Sequence, residues 1–288
     1  MLAVASASVD QRLVARARQC NAWLGQASWE QVMTVDNSDI VLGVIGGTGV
    51  YRLASLKGAE GIDLDTPYGK PSGPVRVGRL AGFRVAFLAR HGEAHSVAPH
   101  RINYRANVHA LHQLGVRRLL GINAVGGIGE RMGPRVLAVP DQIIDYTHGR
   151  LSSFCDVDGA KVEHVDFTHP YTPALRTALL RAGAAMGTRL VDGGTYGCTQ
   201  GPRLETIAEI ARMRRDGCDL VGMTGMPEAV LARELGIDYA SLCLVANWAA
   251  GCGDEAEITM DEVMANMAAA TEAVPGLLKA LLAELAKA

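Results

Sequence analysis

Along this chain, short runs of Val, Ile and Leu end in turns of small residues, and stretches of helical period follow them. Ile40-Val41-Leu42-Gly43-Val44-Ile45 runs into Gly46-Gly47-Thr48-Gly49, and Arg118 to Ile122 runs into Asn123-Ala124-Val125-Gly126-Gly127. Leu190 to Tyr196 precedes Gly201 in the same way. Apolar runs of this length are buried strands, and strands separated by helices share one sheet. The pattern confines the chain to the α/β class. It also predicts that the polar groups used for binding gather past the carboxyl ends of the strands. No linker rich in Pro, Ser or charge interrupts residues 37–288, which read as one domain. Residues 1–36 lack the pattern and are expected to be a loosely ordered extension, with Met1 or Met33 as the start.

The remaining elements follow from local signals. Val75 to Leu80 and Arg84 to Ala89 form a hairpin around Gly82, and Asn103 to Leu114 a helix stopped by Gly115. Val136 to Asp145 reads as one strand, residues 148–171 as a long irregular excursion, and Pro173 as the opening of a helix reaching about Gly187. Arg203 to Asp216 is amphipathic, Asp219 to Met223 a strand, Pro227 to Gly236 a helix and Tyr239 to Ala246 the last core strand. Thr259 with Glu262 makes a capping box for one long Ala/Met/Leu-rich final helix.

Composition removes several function classes. The 288 residues are 49% hydrophobic and 20% charged, with a net charge of -2, so there is no basic footprint for nucleic acid. No run approaches the ~18 apolar residues of a membrane span, and the N-terminus lacks a signal-peptide pattern. The 6 cysteines form no C-x-x-C pair and read as reduced thiols of a cytoplasmic protein.

The strand ends carry the chemistry. Backbone N–H groups in Gly46-Gly47-Thr48-Gly49 can make a nest for an anion, with the Thr48 hydroxyl as a further donor. Arg52 occupies the place of the last glycine of a dinucleotide loop, and no Gly-Lys-Ser/Thr follows, so the turn is neither of those motifs. Arg90-His91 closes another strand; an arginine fork beside a histidine suits a phosphate dianion or a ribose, although Arg90 also reads as an ion-pair partner. His91 and His95 lie four apart, but Gly92 stands where a zincin carries glutamate, and no metal is expected. Glu205 and Asn247 offer a carboxylate and an amide for a hydrogen-bonding base, or else a helix N-terminal carboxylate and a turn residue.

Taken in order, these segments resemble the trimeric purine nucleoside phosphorylase and methylthioadenosine phosphorylase family. The matching pieces are Gly46 to Gly49, Thr66-Pro67-Tyr68-Gly69-Lys70-Pro71, Ala89 to Gly92, Asn123 to Gly127, Gly201-Pro202-Arg203-Leu204-Glu205-Thr206, and Gly222-Met223-Thr224 through Pro227-Glu228, spanning residues 40–275. The resemblance implies a single α/β domain whose mixed twisted sheet closes into a distorted barrel flanked by helices. It implies phosphate bound by Thr48, Arg90, His91, Ala124 and Thr224, and Met223 against a ribose. It also implies a homotrimer in which His164 reaches a neighbouring subunit's site. Inorganic phosphate is then a co-substrate, and no cofactor is expected.

Departures from the family pattern set the expected substrate. Members that take adenine nucleosides carry two aspartates where this chain has Asn247 and Ala249; where they have serine it has Glu205, as 6-oxopurine enzymes do. Leu204 stands where a phenylalanine often stacks on the base, and no histidine follows His169 to bind a 5′-hydroxyl. Met260 and Val263 line up instead, as an apolar 5′ pocket or as plain core. The expected reaction is therefore phosphorolysis of a 6-oxopurine nucleoside bearing a 5′-methylthio group, with Asn247 and His91 in the catalytic roles. The alternatives are inosine/guanosine or methylthioadenosine phosphorolysis, and a silent nucleoside-binding protein.

Overall fold

A computed structural model describes residues 40–47, 57–156, 159, 161–253 and 257–287. The extension expected over residues 1–36, Met33 and Thr48 lie outside the described residues. Residues 38–288 form one compact unit.

The strands are β1 (Ile40–Gly46), β2 (Lys57–Ile62), β3 (Val75–Leu80), β4 (Phe83–Ala89), β5 (Arg118–Gly127), β6 (Leu137–Val139), β7 (Gln142–Asp145), β8 (Leu190–Asp192), β9 (Thr195–Cys198), β10 (Leu220–Gly222) and β11 (Asp238–Trp248). The helices are α1 (Tyr104–Gln113), α2 (Pro173–Ala185), α3 (Ile207–Arg215), α4 (Gly225–Glu234), α5 (Met260–Thr271) and α6 (Val274–Leu285). All the strands join one mixed sheet, in the order β2-β3-β4-β1-β5-β10-β9-β7, with β11, β6 and β8 branching from β5. The pairing path among the described residues is open and branched. β5 is its hub: it runs parallel to β1 and β11 and antiparallel to β10.

The central strands are apolar throughout because both faces are covered. Leu42, Val44, Leu120, Ile122, Leu242 and Leu244 face one core, with α2 and α6 over it. Ile45, Leu119, Val125, Tyr239, Cys243 and Val245 alternate onto the other, under α1 and α4. Residues Val274, Leu277, Leu278, Leu281, Leu282 and Leu285 give α6 a buried stripe, and truncating any one of the leucines to alanine should cost about 2–5 kcal/mol.

Most predicted elements are present, with boundaries set by local chemistry. Asn103 caps α1 by accepting from the Ala106 N–H at 3.1 Å. Three single elements prove to be pairs. The strand expected over 136–145 divides into β6 and β7 at Pro140, which cannot donate to a ladder. The strand expected from Leu190 divides into β8 and β9 at Gly193-Gly194, both at positive φ. The final helix divides into α5 and α6 just before Pro275.

Candidate active site

Parallel register brings the strand ends together: Gly46 of β1 lies opposite Ala89 of β4 and Ile122 of β5. Arg90, one residue past β4, is 1% exposed. Its Nε donates to Glu228 Oε2 at 2.8 Å and Nη2 to Glu228 Oε1 at 2.9 Å, while Nη1 donates to the Ile122 carbonyl at 2.9 Å and Nη2 to that of Ile45 at 3.2 Å. Of the five guanidinium hydrogens, one on Nη1 has no acceptor among the described residues, and Nη1 lies on the side of Gly47. Burial opposes the charge of Arg90, but attraction and hydrogen bonding from Glu228 outweigh it and raise the pKa above its ordinary value. Tyr239 donates to Glu228 Oε1 at 2.8 Å. β5 carries Gly121 at this point because a Cβ there would stand 2.3 Å from the Tyr239 hydroxyl and 2.9 Å from Glu228 Oε1.

His91 follows, with Nδ1 2.8 Å from the Val97 carbonyl. A carbonyl only accepts, so Nδ1 carries the proton, and Nε2 turns towards Gly47. Burial pushes the imidazole pKa down to about 4, with Arg90 and His95 acting in the same sense, so the ring is neutral near pH 7 and Nε2 offers a lone pair. Beside it, Thr224 Oγ1 donates to Asn123 Oδ1 at 2.9 Å, and Asn123 Nδ2 donates to Ser241 Oγ at 2.7 Å. Ala124 is exposed inside the otherwise buried run from Leu119 to Gly127, although the strand stays paired with β11 there. Arg90, His91, the Gly47 turn, Asn123, Ala124 and Thr224 therefore share one end of the sheet.

The second group forms around β9, β10 and β11. Glu205 is half-buried, and its Oε1 accepts from Thr199 Oγ1 at 2.6 Å. That hydroxyl also lies 3.3 Å from the carbonyl of Gly222, the residue before Met223. Asn247 follows a bulge in β11, where Val245 pairs with Val125 but Asn247 pairs with Gly126. Its Nδ2 donates to the Trp248 carbonyl at 2.7 Å. Met223 packs on Gly201, where a Cβ would meet its sulfur at 2.4 Å.

The remaining residues expected at the site differ in burial. Ala249 is buried with Ile128, Ile210, Met213, Cys218 and Val221, and fills core. Leu204 is 44% and Met260 62% exposed, His164 is exposed, and Val263 is half-buried against the α6 side of the core. No hydrogen bond or ring contact among the described residues joins Met260, Val263 or His164 to the rest.

Comparison with known proteins fixes the family, since residues 41–283 match the phosphorylase superfamily. The chain belongs to that superfamily. A relative from Xanthomonas campestris pv. campestris, named probable S-methyl-5′-thioinosine phosphorylase, is 63% identical over 244 residues, 85% of this chain and 98% of the relative. A Xylella fastidiosa protein of the same name is 65% identical over 229 residues, 80% of this chain and 97% of the relative. A probable 6-oxopurine nucleoside phosphorylase from Thermococcus kodakarensis is 46% identical over 232 residues, 79% of this chain and 86% of the relative. Among solved structures, a methylthioadenosine phosphorylase from an antarctic soil metagenomic library superposes with a TM-score of 0.81 at 36% identity, covering 87% of this chain and 88% of that one.

Two arrangements in this phosphorylase-superfamily chain escape a reading of the sequence. Asn266 of α5 donates to the carbonyl of Ala246, the extra residue of the β11 bulge, at 2.9 Å, and accepts from Arg135 Nε at 2.7 Å. Arg135, at a φ of 71°, also donates its backbone N–H to the Val245 carbonyl at 2.7 Å. The bulge that aims Asn247 is thus held from outside the strand. The second arrangement is Arg150, in the irregular segment after β7, which bonds backbone carbonyls of two site loops. Nothing in the spacing around either residue marks it, because each acts on carbonyls distant in sequence.

Proposed function

We propose that the chain catalyses phosphorolysis of S-methyl-5′-thioinosine to hypoxanthine and S-methyl-5-thioribose 1-phosphate. A phosphate oxygen bonds to C1′ as the C1′–N9 bond breaks. The bonding pair leaves with the purine, and the proton of monohydrogen phosphate ends on a purine nitrogen. The phosphate dianion offsets the cationic sugar of the transition state, so the step calls for placed dipoles and charges rather than redox or metal chemistry.

The observation that carries this reading is Glu205, a half-buried carboxylate anchored through Oε1 by Thr199 at 2.6 Å. Its Oε2 makes no hydrogen bond among the described residues. A carboxylate accepts the N1–H of a 6-oxopurine and repels the N1 lone pair of adenine. Asn247 donates to O6 and accepts from a protonated N7, which an aspartate cannot do in both senses. On the phosphate side, the spare Nη1 hydrogen of Arg90, Thr48, Thr224 and the backbone at Ala124 hold the anion, while the Nε2 lone pair of His91 takes its P–OH. Met223 lies under the ribose and Leu204 beside the base. Met260 and Val263 receive the methylthio group, which gains from an apolar wall where a hydroxyl would lose water without compensation. The active form is a cytoplasmic homotrimer in which the exposed His164 meets a neighbouring subunit's site. The names of the Xanthomonas and Xylella relatives support the substrate. The name of the Thermococcus relative favours a second reading, phosphorolysis of inosine and guanosine.

The test is base release from methylthioinosine, inosine and methylthioadenosine, with and without phosphate. Methylthioinosine should exceed methylthioadenosine by roughly 10⁴-fold in kcat/KM, since the wrong base leaves buried polar groups unpaired. Efficient cleavage of methylthioadenosine would remove Glu205 and Asn247 from base recognition. Equal values for inosine and methylthioinosine would select the second reading, and release without phosphate would make the enzyme a hydrolase.

A further inference from the structure

Strand pairing between β9 and β10 stops at Cys198 opposite Gly222, with one more backbone bond from the Thr199 N–H to the Gly222 carbonyl at 2.8 Å. Beyond that point the two chains diverge into the loops that carry Glu205 on one side and Met223 and Thr224 on the other. Arg150 stands between them. Its Nη2 donates to the carbonyls of Thr199 at 3.2 Å and Gln200 at 3.0 Å, and its Nε to Gln200 Oε1 at 3.2 Å. Its Nη1 faces the carbonyls of Met223 at 2.9 Å and Met226 at 2.6 Å, together with the Tyr104 hydroxyl at 3.2 Å. The guanidinium also lies over the Tyr104 ring, 5.4 Å from its centre.

We infer that Arg150 is a positioning residue that locks the base-side loop to the sugar-side loop, so that Glu205 and Met223 act as one rigid nucleoside site. Every N–H of the fork is directed at an acceptor, and four of those acceptors are main-chain carbonyls. That geometry is specific to a planar guanidinium; a lysine ammonium is a point donor and cannot span two loops in this way. The clamp also explains how Gly201 and Met223 stay in contact at a distance that leaves no room for a Cβ. A fixed relation between base and ribose groups is what the reaction demands, since a misplacement of about 1 Å can cost roughly 10²-fold in rate.

The inference rests on Glu205 and Met223 belonging to one nucleoside site, so its test has an arm that needs no substrate. Backbone hydrogen exchange of Arg150→Lys and Arg150→Gln is compared with wild type in the absence of ligand. Exchange should rise in residues 199–205 and 223–226 together and stay unchanged in α6. The KM for whichever 6-oxopurine nucleoside the wild type cleaves should rise, with kcat/KM falling by roughly 10²-fold in the Lys variant. Guanidinium ion should restore part of the activity of Arg150→Ala but not that of a His91 variant. Wild-type exchange in either loop overturns the inference. So does a wild-type KM with activity lost only in proportion to inactive protein. A failure of the proposed substrate, by contrast, leaves the exchange result standing.

Discussion

The proposed phosphate and nucleoside sides of the site are built on opposite plans. On the phosphate side, Arg90 and Glu228 are buried, doubly hydrogen-bonded and flanked by Tyr239, with a single guanidinium hydrogen left over. On the nucleoside side, Glu205 has one anchoring bond, Leu204 and Met260 are open to solvent, and the loops are held by Arg150. An anion of fixed shape can be met by a preformed cage. The proposed nucleoside side leaves Leu204 and Met260 exposed. The contrast predicts that the first group of residues couples to stability and the second to selectivity.

Breaking the phosphate side should give the largest effect. Glu228→Gln leaves the Arg90 charge without its partner, and Arg90→Ala leaves Glu228 without its own; either should cost about 3–5 kcal/mol. Thermal unfolding should register this as a fall of roughly 10 °C in Tm. Arg90→Met with Glu228→Leu should recover much of the loss, because no lone charge remains. Additive single effects in that double variant would show that the pair is not the source of the stability.

Next comes the boundary between the halves. Ala249→Asp puts a carboxylate among Ile128, Ile210, Met213 and Val221, and should destabilise by on the order of 3 kcal/mol in urea unfolding. An aspartate grafted at 249 is therefore expected to loosen the fold. Asn247→Asp with Glu205→Ser should shift selectivity towards methylthioadenosine while leaving Tm within a few degrees. A stable Ala249→Asp variant would place residue 249 in the pocket instead of the core.

Acid should then separate the halves without mutation. The His91 pKa is lowered from 6.5 to about 4, so its contribution to stability is fully present above pH 6.5 and is lost as pH falls towards 4. After discounting for partial exposure, the change is on the order of 2 kcal/mol. His112, also lowered to about 4 by burial, adds to the same window. His91→Asn should flatten part of the stability–pH profile, and an unaltered profile would show that His91 is not the titrating group.

The smallest effect belongs to the open side. Met260→Ser should change stability by less than about 0.5 kcal/mol, yet reduce the preference for methylthioinosine over inosine by roughly tenfold, the worth of a small apolar contact. A large loss of Tm with unchanged preference would make Met260 a packing residue and remove the contrast at this position.

The local half of this molecule was legible in its residues. Apolar runs are strands wherever they can be covered, so the starts of β1, β5 and β11 follow from the residues at 40–45, 118–122 and 239–246. The segment Asn123 to Gly127, expected as a turn, instead continues β5 because it pairs with β11 along its whole length. Gly115 and Thr259 act on backbone groups within a turn of themselves: Gly115 follows the end of α1 at positive φ, and Thr259 accepts the Glu262 N–H. The reciprocal capping box stands at Thr206 and Glu209, in a helix expected to begin at Arg203. The strand ends bearing Gly46 and Arg90-His91 could be expected at one edge, because parallel strands present their carboxyl ends together. Thr224 joins them from the antiparallel β10 by bonding Asn123 inside β5.

What only the tertiary structure decided are the partners of those groups. Arg90 read equally well as an anion fork or an ion-pair partner; Glu228, 138 residues away, commits most of it to a buried pair. Ala249 read as a base-site position, and α3 buries it beside Ile210 and Met213. Arg150 and Asn266 had no signature at all, since they bond backbone carbonyls, which every residue possesses. Periodicity and capping act over a few residues and are written in local order. Hydrogen-bond satisfaction and burial depend on which distant segments meet, and that is settled only when the chain has closed on itself.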